Sequence, residues 1–187
     1  MLLDRHLAAL VLVDYQTRLM PVIPDADQVV RHALFLAQVA RALGVPVIGT
    51  EQNPLALGAN DPRVAALCDD TLSKMHFSAV SDGLLEVVRA RRPQARQLVM
   101  AGCEAHVCLM QTALEAQAAG LQVVVVAEAC GSRRAEDKAL ALQRMASVGI
   151  VVASADMVAF EWLRTCEDPA FREVLALIKA RPTQAHP

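Results

Sequence analysis

Aromatic side chains are scarce in this chain: one Trp, one Tyr and four Phe among 187 residues. So few rings leave little with which to line a broad stacking pocket for a nucleotide or flavin, which favours a small substrate. Long hydrophobic runs are missing too. The longest, 7–13 and 121–126 (broken by Gln122), fall well short of the roughly 18 residues a membrane span needs. The formal net charge is only −2, so no electrostatic footprint for nucleic acid or an acidic membrane surface is present. The five cysteines are odd in number, widely spaced and without a C-x-x-C pair, which argues against a disulfide framework or a zinc ribbon. A reducing, cytoplasmic setting fits best. The opening MLLDRHLAALVLVDYQ faintly imitates a signal peptide, but its apolar run meets Asp14 with no small-residue cleavage site and reads as a buried strand.

What the chain does have is apolar mass, 55% of its residues, enough for one compact domain over 1–180 with a loose tail at 181–187. Short runs rich in Val and Ile occur at 8–13, 45–50, 97–101, 121–127 and 149–153, with a weaker candidate at 71–76. They lack polar alternation, so both faces of the sheet they form should be covered, as in a parallel sheet. Between them lie Ala- and Leu-rich stretches of helical period at 25–43, 82–92, 105–119, 134–147, 154–164 and 168–180. This alternation predicts an α/β chain, a three-layer α/β/α sandwich around a mostly parallel, Rossmann-like sheet of about six strands.

Ligands of open parallel sheets bind beyond the carboxyl ends of the strands, so the residues that follow each run carry the interest. Asp14 follows the first run. Gly102 permits a sharp turn after 97–101, and Cys108 lies near the first turn of the helix at 105–119, where the dipole favours a thiolate. Lys74 interrupts an otherwise apolar and small-residue strand. Each residue alone has a plainer reading: Asp14 as a loop cap, Cys108 as an inert buried thiol, Lys74 as edge protection. Cys68, Cys130 and Cys166 read as inert and buried. Taken together, a carboxylate, an ammonium and a thiol at strand ends of one sheet make a nucleophile, a base and an electrostatic partner.

Three stretches carry a resemblance: Val13-Asp14-Tyr15-Gln16, Lys74-Met75-His76-Phe77-Ser78-Ala79 and Gly102-Cys103-Glu104-Ala105-His106-Val107-Cys108. Their order and spacing resemble those of the isochorismatase-like cysteine hydrolases, a superfamily that includes nicotinamidases and N-carbamoylsarcosine amidohydrolases. The segment Thr50-Glu51-Gln52-Asn53-Pro54-Leu55-Ala56-Leu57-Gly58 is similar to the T-E-Q…P…L-G segment of the isochorismatase-domain branch. The resemblance implies a triad of Asp14, Lys74 and Cys108, and a cis peptide at Cys103–Glu104. It further implies an oxyanion hole made by the backbone amides of Glu104 and Cys108. It implies no cofactor. Metal-binding nicotinamidases carry Asp-x-His after the second strand with a further His beyond, whereas this chain has no His from 33 to 75, so no catalytic metal is expected. A nucleophilic Cys108 also sets the chain apart from true isochorismatases, which cleave a vinyl ether without one.

Position beside these motifs nominates Leu19, Glu51, Gln52, Leu55, Phe77 and Val107 as the pocket wall. The expected activity is hydrolysis of a small amide or carbamoyl C–N bond. Two other readings stay open: a small-molecule-binding or scaffold protein that keeps the fold without turnover, and a redox pair of Cys103 and Cys108. His76 and His106 are expected to contact neighbouring loops or a subunit. A homo-oligomer is expected from the resemblance and from the apolar character of 154–164 and 168–180.

Overall fold

The computed structural model describes residues 2–181. Six strands form one wholly parallel sheet: β1 (Ala8–Val13), β2 (Val47–Gln52), β3 (Asp70–Lys74), β4 (Gln97–Gly102), β5 (Gln122–Val126) and β6 (Val151–Ala153). Their order is β3-β2-β1-β4-β5-β6, so the chain builds outward from β1 in one direction and then crosses to build in the other. Every residue of β1 and β4 is buried. That explains why these strands read as nearly continuous apolar runs: helices cover both faces, and the one polar side chain, Gln97 at the start of β4, is buried with Asp4 N–H donating to it.

The helices are α1 (Ala26–Ala42), α2 (Pro54–Leu57), α3 (Pro62–Ala65), α4 (Leu84–Arg91), α5 (Met110–Ala118), α6 (Ala135–Ser147), α7 (Ala155–Leu163) and α8 (Phe171–Ala180). The short α2 and α3 are not among the predicted helices. Each starts on a proline, which fits the first helical turn, but neither is long enough to show a period. The second strand runs two residues later than its predicted range. Val45 is held instead by the end of α1, where its N–H donates to Ala40 O at 2.8 Å and Gly44 turns with φ +67°. A glycine-centred helix stop of this kind consumes the residues just after it. At the other end, pairing with β3 carries β2 on through Glu51 and Gln52. The weakly predicted third strand is an edge strand whose residues alternate between exposed and half-buried until Lys74.

The predicted helix at 105–119 divides. Ala105–Leu109 winds as a π-helical turn before α5 begins at Met110. Cys108 therefore lies in a widened turn, a geometry that recurs at functional sites.

Trp162 is fully buried, as are Val158 and Leu163, so much of the apolar character of α7 goes into the chain's own core. Met157 and Phe160 remain on the outside. Of the predicted tail, residues 182–187 lie outside the described residues. Arg181 is anchored by Asp156 and lies 4.3 Å over the Phe35 ring. No helix among the described residues is long and apolar enough to cross a membrane.

Candidate active site

The sheet register sets the carboxyl ends of the central strands side by side. Val13 pairs with Thr50 on β2 and with Gly102 on β4, while Gln52 pairs with Lys74 on β3. The strand order reverses between β1 and β4, and ligands of open α/β sheets bind at such a reversal. Close packing there demands glycine. A Cβ on Gly102 would lie 2.2 Å from Val13 O, and its φ of +155° disfavours side chains besides.

Asp14 ends β1 in the left-handed region, with φ 54°. Asp is one of the few non-glycine residues that enter this region, at a cost of about 1–3 kcal/mol where the surrounding structure holds it there. The result is a carboxylate with no exposure to solvent, held on both oxygens. Thr50 Oγ1 donates to Oδ1 at 2.6 Å, and Lys74 Nζ donates to Oδ2 at 2.8 Å.

Lys74 is not an edge-protecting residue. Its side chain has no exposure at all, and its ammonium also donates to Gln52 Oε1 at 2.9 Å and to the carbonyls of Phe77 and His76 at 3.1 and 3.4 Å. An ammonium has three protons to give, and here protein acceptors replace the whole water shell. Burial of this kind is sustained only by pairing plus hydrogen bonds on every side.

The Cys108 thiol, 6% exposed, completes the group. Burial pushes its pKa up to about 12, and the Asp14 charge adds to that rise while Lys74 opposes it. The expected bias toward a resting thiolate is therefore reversed. Desolvation outweighs both the helix end and the ammonium, so the thiol keeps its proton beside a carboxylate able to receive it.

The turn between β4 and Cys108 is fixed from outside. The Cys103–Glu104 peptide is cis. Ala105 N–H donates to Gly131 O at 2.7 Å, and Gly131 N–H donates to Gly102 O at 3.2 Å. Glu104 turns its carboxylate onto Arg133, with Nη2 at 2.9 Å, Nε at 3.0 Å and the Arg133 backbone N–H at 2.9 Å. Burial raises the Glu104 pKa, but the Arg133 bonds outweigh it and hold the carboxyl below its usual range. His106 contacts Ser132 Oγ at 3.0 Å through Nδ1, and His76 contacts Asp82 at 3.0 Å, so both histidines engage neighbouring loops.

Asp14, Lys74 and Cys108 thus come together from three strand ends. Of the nominated wall, Gln52 is bonded into the cluster, and Val107 is half-buried beside Cys108. Phe77 contributes its carbonyl to Lys74 while its ring is half-exposed. Glu51 turns its carboxylate to Asn60 N–H at 2.8 Å, Leu19 packs into the core, and Leu55 stands 93% exposed. Cys103 and Cys130 are buried with raised pKa values, Cys68 is half-buried, and Cys166, contrary to expectation, is exposed. All five thiols are free.

Thr50, Gln16 and Arg133 were not nominated from the sequence. Thr50 and Gln16 stand within the quoted motifs. Gln16 holds β2 through Gln52 N–H and Gln52 O, at 2.8 and 2.9 Å. A cavity of about 1060 Å³ lies elsewhere, between α1, α8 and residues 128–138, and neither Asp14, Lys74 nor Cys108 lines it. Size is the weaker guide here, because the buried charges and the Cys108 thiol converge at the strand ends. Among the described residues no group of three or more His, Cys, Asp or Glu side chains is placed to hold a metal ion.

A three-layer α/β/α fold with an acid, a lysine and a thiol gathered at the carboxyl end of its sheet defines a hydrolase-like architecture. The isochorismatase domain matches residues 8–157, and the chain belongs to that family. It is 35% identical over 170 residues to isochorismatase domain-containing protein 2A of Mus musculus, covering 91% of this chain and 82% of that one. It is 34% identical to isochorismatase domain-containing protein 1 of Danio rerio over 89% of its own length but only 59% of that protein's. Among solved structures, MAR1 ribonuclease from Caenorhabditis elegans superposes with a TM-score of 0.89 at 26% identity, covering 100% of this chain and 98% of that one. YcaC from Pseudomonas aeruginosa, with hexane-2,5-diol and covalent acrylamide, gives 0.86 at 25% identity over 94% and 91%. YcaC from Escherichia coli, an octameric hydrolase of unknown specificity, gives 0.87 at 25% identity over 94% and 90%.

Proposed function

We propose that this chain is a cysteine hydrolase that cleaves a small amide or carbamoyl C–N bond through a Cys108 thioester. The observation that carries this reading is the buried Asp14–Lys74 pair acting on the Cys108 thiol. Because the resting thiol is protonated, attack and deprotonation run together. As Sγ bonds to the substrate carbonyl carbon, the thiol proton passes to Asp14. The developing oxyanion is received by the backbone amides of Glu104 and Cys108. Asp14 then returns the proton to the departing nitrogen as the C–N bond breaks. Water, deprotonated by Asp14, opens the thioester and frees the thiol. Lys74, 2.8 Å from Oδ2, holds Asp14 in place through each proton transfer. The covalent acrylamide carried by the similar YcaC protein is in keeping with a fold that presents a reactive nucleophile, since acrylamide couples to one through its vinyl carbon with its amide intact.

Ammonia release from a panel of small amides and carbamoyl compounds tests the reading. Turnover that Cys108→Ala abolishes is the expected result. No turnover by any member, together with a biological activity that survives Cys108→Ala, would favour the binding-protein alternative, which the raised thiol pKa also suits. The functional unit is a homo-oligomer, in keeping with the octameric relative and with Met157 and Phe160 exposed on α7. A light-scattering mass equal to one chain would contradict that.

A further inference from the structure

Glu104 poses a problem that the proposed chemistry leaves unsolved. Its peptide N–H is to receive a developing negative charge, yet its own carboxylate is ionised, and its side chain is only 8% exposed. An unpaired buried carboxylate on the very residue whose N–H is to receive the oxyanion would oppose that charge and leave the turn without its side-chain anchor. The structure answers with Arg133. Three nitrogens of that residue, Nη2, Nε and the backbone N, close on the two carboxylate oxygens at 2.9–3.2 Å. A forked guanidinium–carboxylate contact fixes direction as well as charge.

The loop that carries Arg133 is in turn pressed against the same turn. Gly131 has no room for a side chain: a Cβ there would lie 2.5 Å from Ile23 Cγ2 and 3.1 Å from Cys103 Sγ. His106 reaches the adjacent Ser132. The Arg133 side chain is itself 55% exposed, so it contributes little to the core.

We infer that Arg133 is a positioning residue: by clamping and neutralising the Glu104 carboxylate it aims the Glu104 N–H at the oxyanion formed on Cys108 acylation. This rests on the cysteine-hydrolase reading. It predicts a split between two reactions of one thiol. Alkylation by iodoacetamide displaces iodide at a saturated carbon and builds no oxyanion. Acylation by p-nitrophenyl acetate bonds Cys108 sulfur to the acetyl carbon, breaks the C–O bond to p-nitrophenolate and delivers the thiol proton to Asp14, through an oxyanion.

Both rates are followed at Cys108 by peptide mass spectrometry in the full-length protein, for wild type, Arg133→Gln, Arg133→Lys and Glu104→Gln. Arg133→Gln should slow acylation about tenfold or more while alkylation changes less than about twofold, a smaller loss than deleting an oxyanion donor outright. Arg133→Lys, which keeps the charge but not the fork, should fall between, and Glu104→Gln should slow acylation with alkylation again spared. Acylation and alkylation falling by the same factor would reduce Arg133 to a merely structural role and overturn the inference, as would no change in either. If wild-type Cys108 accepts iodoacetamide but no acetyl group, the hydrolase reading itself fails, and this inference fails with it. Wild-type acylation combined with parallel losses, or with no change, in the variants isolates an error in the role of Arg133.

Discussion

Two halves of the site are held in opposite ways. On the β1–β3 side, Asp14 and Lys74 are sealed from solvent and saturated with partners, so the charges are fixed from within. On the β4 side, the Cys103–Cys108 turn is held from outside, by Gly131, Ser132 and Arg133 of the segment that follows β5. In the proposed chemistry the first half sets the charge and receives the proton, while the second presents the nucleophile and its amides. A static electrostatic base and an adjustable nucleophile turn should therefore fail differently when cut.

The sharpest break is expected at the nucleophile. Cys108→Ala should lower amide turnover to background while leaving the melting temperature near wild type, because one small buried side chain replaces another. A variant that still turned over would detach the thiol from the chemistry. Next is Lys74→Met, which leaves Asp14 buried without its cation. Urea unfolding should show a loss of about 3–5 kcal/mol, the cost of breaking a buried pair on one side. A loss under about 1 kcal/mol would mean that the pair is worth no more than a surface contact.

Thr50→Val sharpens the comparison further. It removes the 2.6 Å bond to Asp14 and should cost about 1.5–3 kcal/mol, read either as stability or as slower turnover with KM unchanged. The Arg133 substitutions should do the reverse, sparing stability and slowing acylation.

The smallest effect concerns alkaline pH. Burial raises the pKa of Cys108 to about 12 and those of Cys68 and Cys130 to about 11, from an ordinary value near 9. Below 9 both folded and unfolded chains keep these protons, and the folded state is at full strength. Between 9 and the raised values only the unfolded chain releases them, so stability falls as pH rises. Melting temperature should decline from about pH 9 upward, and a flat profile to pH 11 would show these thiols to be better solvated than their burial implies.

The first half of the site was legible in the sequence for a physical reason. Asp14 directly follows a strand with no polar residue, and Lys74 ends one in which a cation needs a partner or an exposed edge, so each stood out and the motif resemblance joined them. The α/β/α layering was legible likewise, since doubly covered strands have to be apolar throughout. Arg133 gave no such sign. It is one of two consecutive arginines in a polar segment 29 residues from Glu104, and only the meeting of the β4 and β5 ends pairs them. The state of Cys108 was misjudged because helix-end position can be read from spacing, whereas desolvation depends on everything packed around the thiol. Cys166 was misplaced for the same kind of reason: it follows α7 in an exposed turn, where no periodicity reports burial.

The central claim is that Asp14 and Cys108 act as one unit across the two halves. The rate at which p-nitrophenyl acetate acetylates Cys108 near neutral pH, in wild type and in Asp14→Asn, tests it most directly. The account predicts acetylation on Cys108 in the wild type and a rate on the order of 10²-fold lower in the variant, the usual range for losing a positioned base. Equal rates in the two proteins, or acetyl groups collecting on the exposed Cys166 instead, would contradict it.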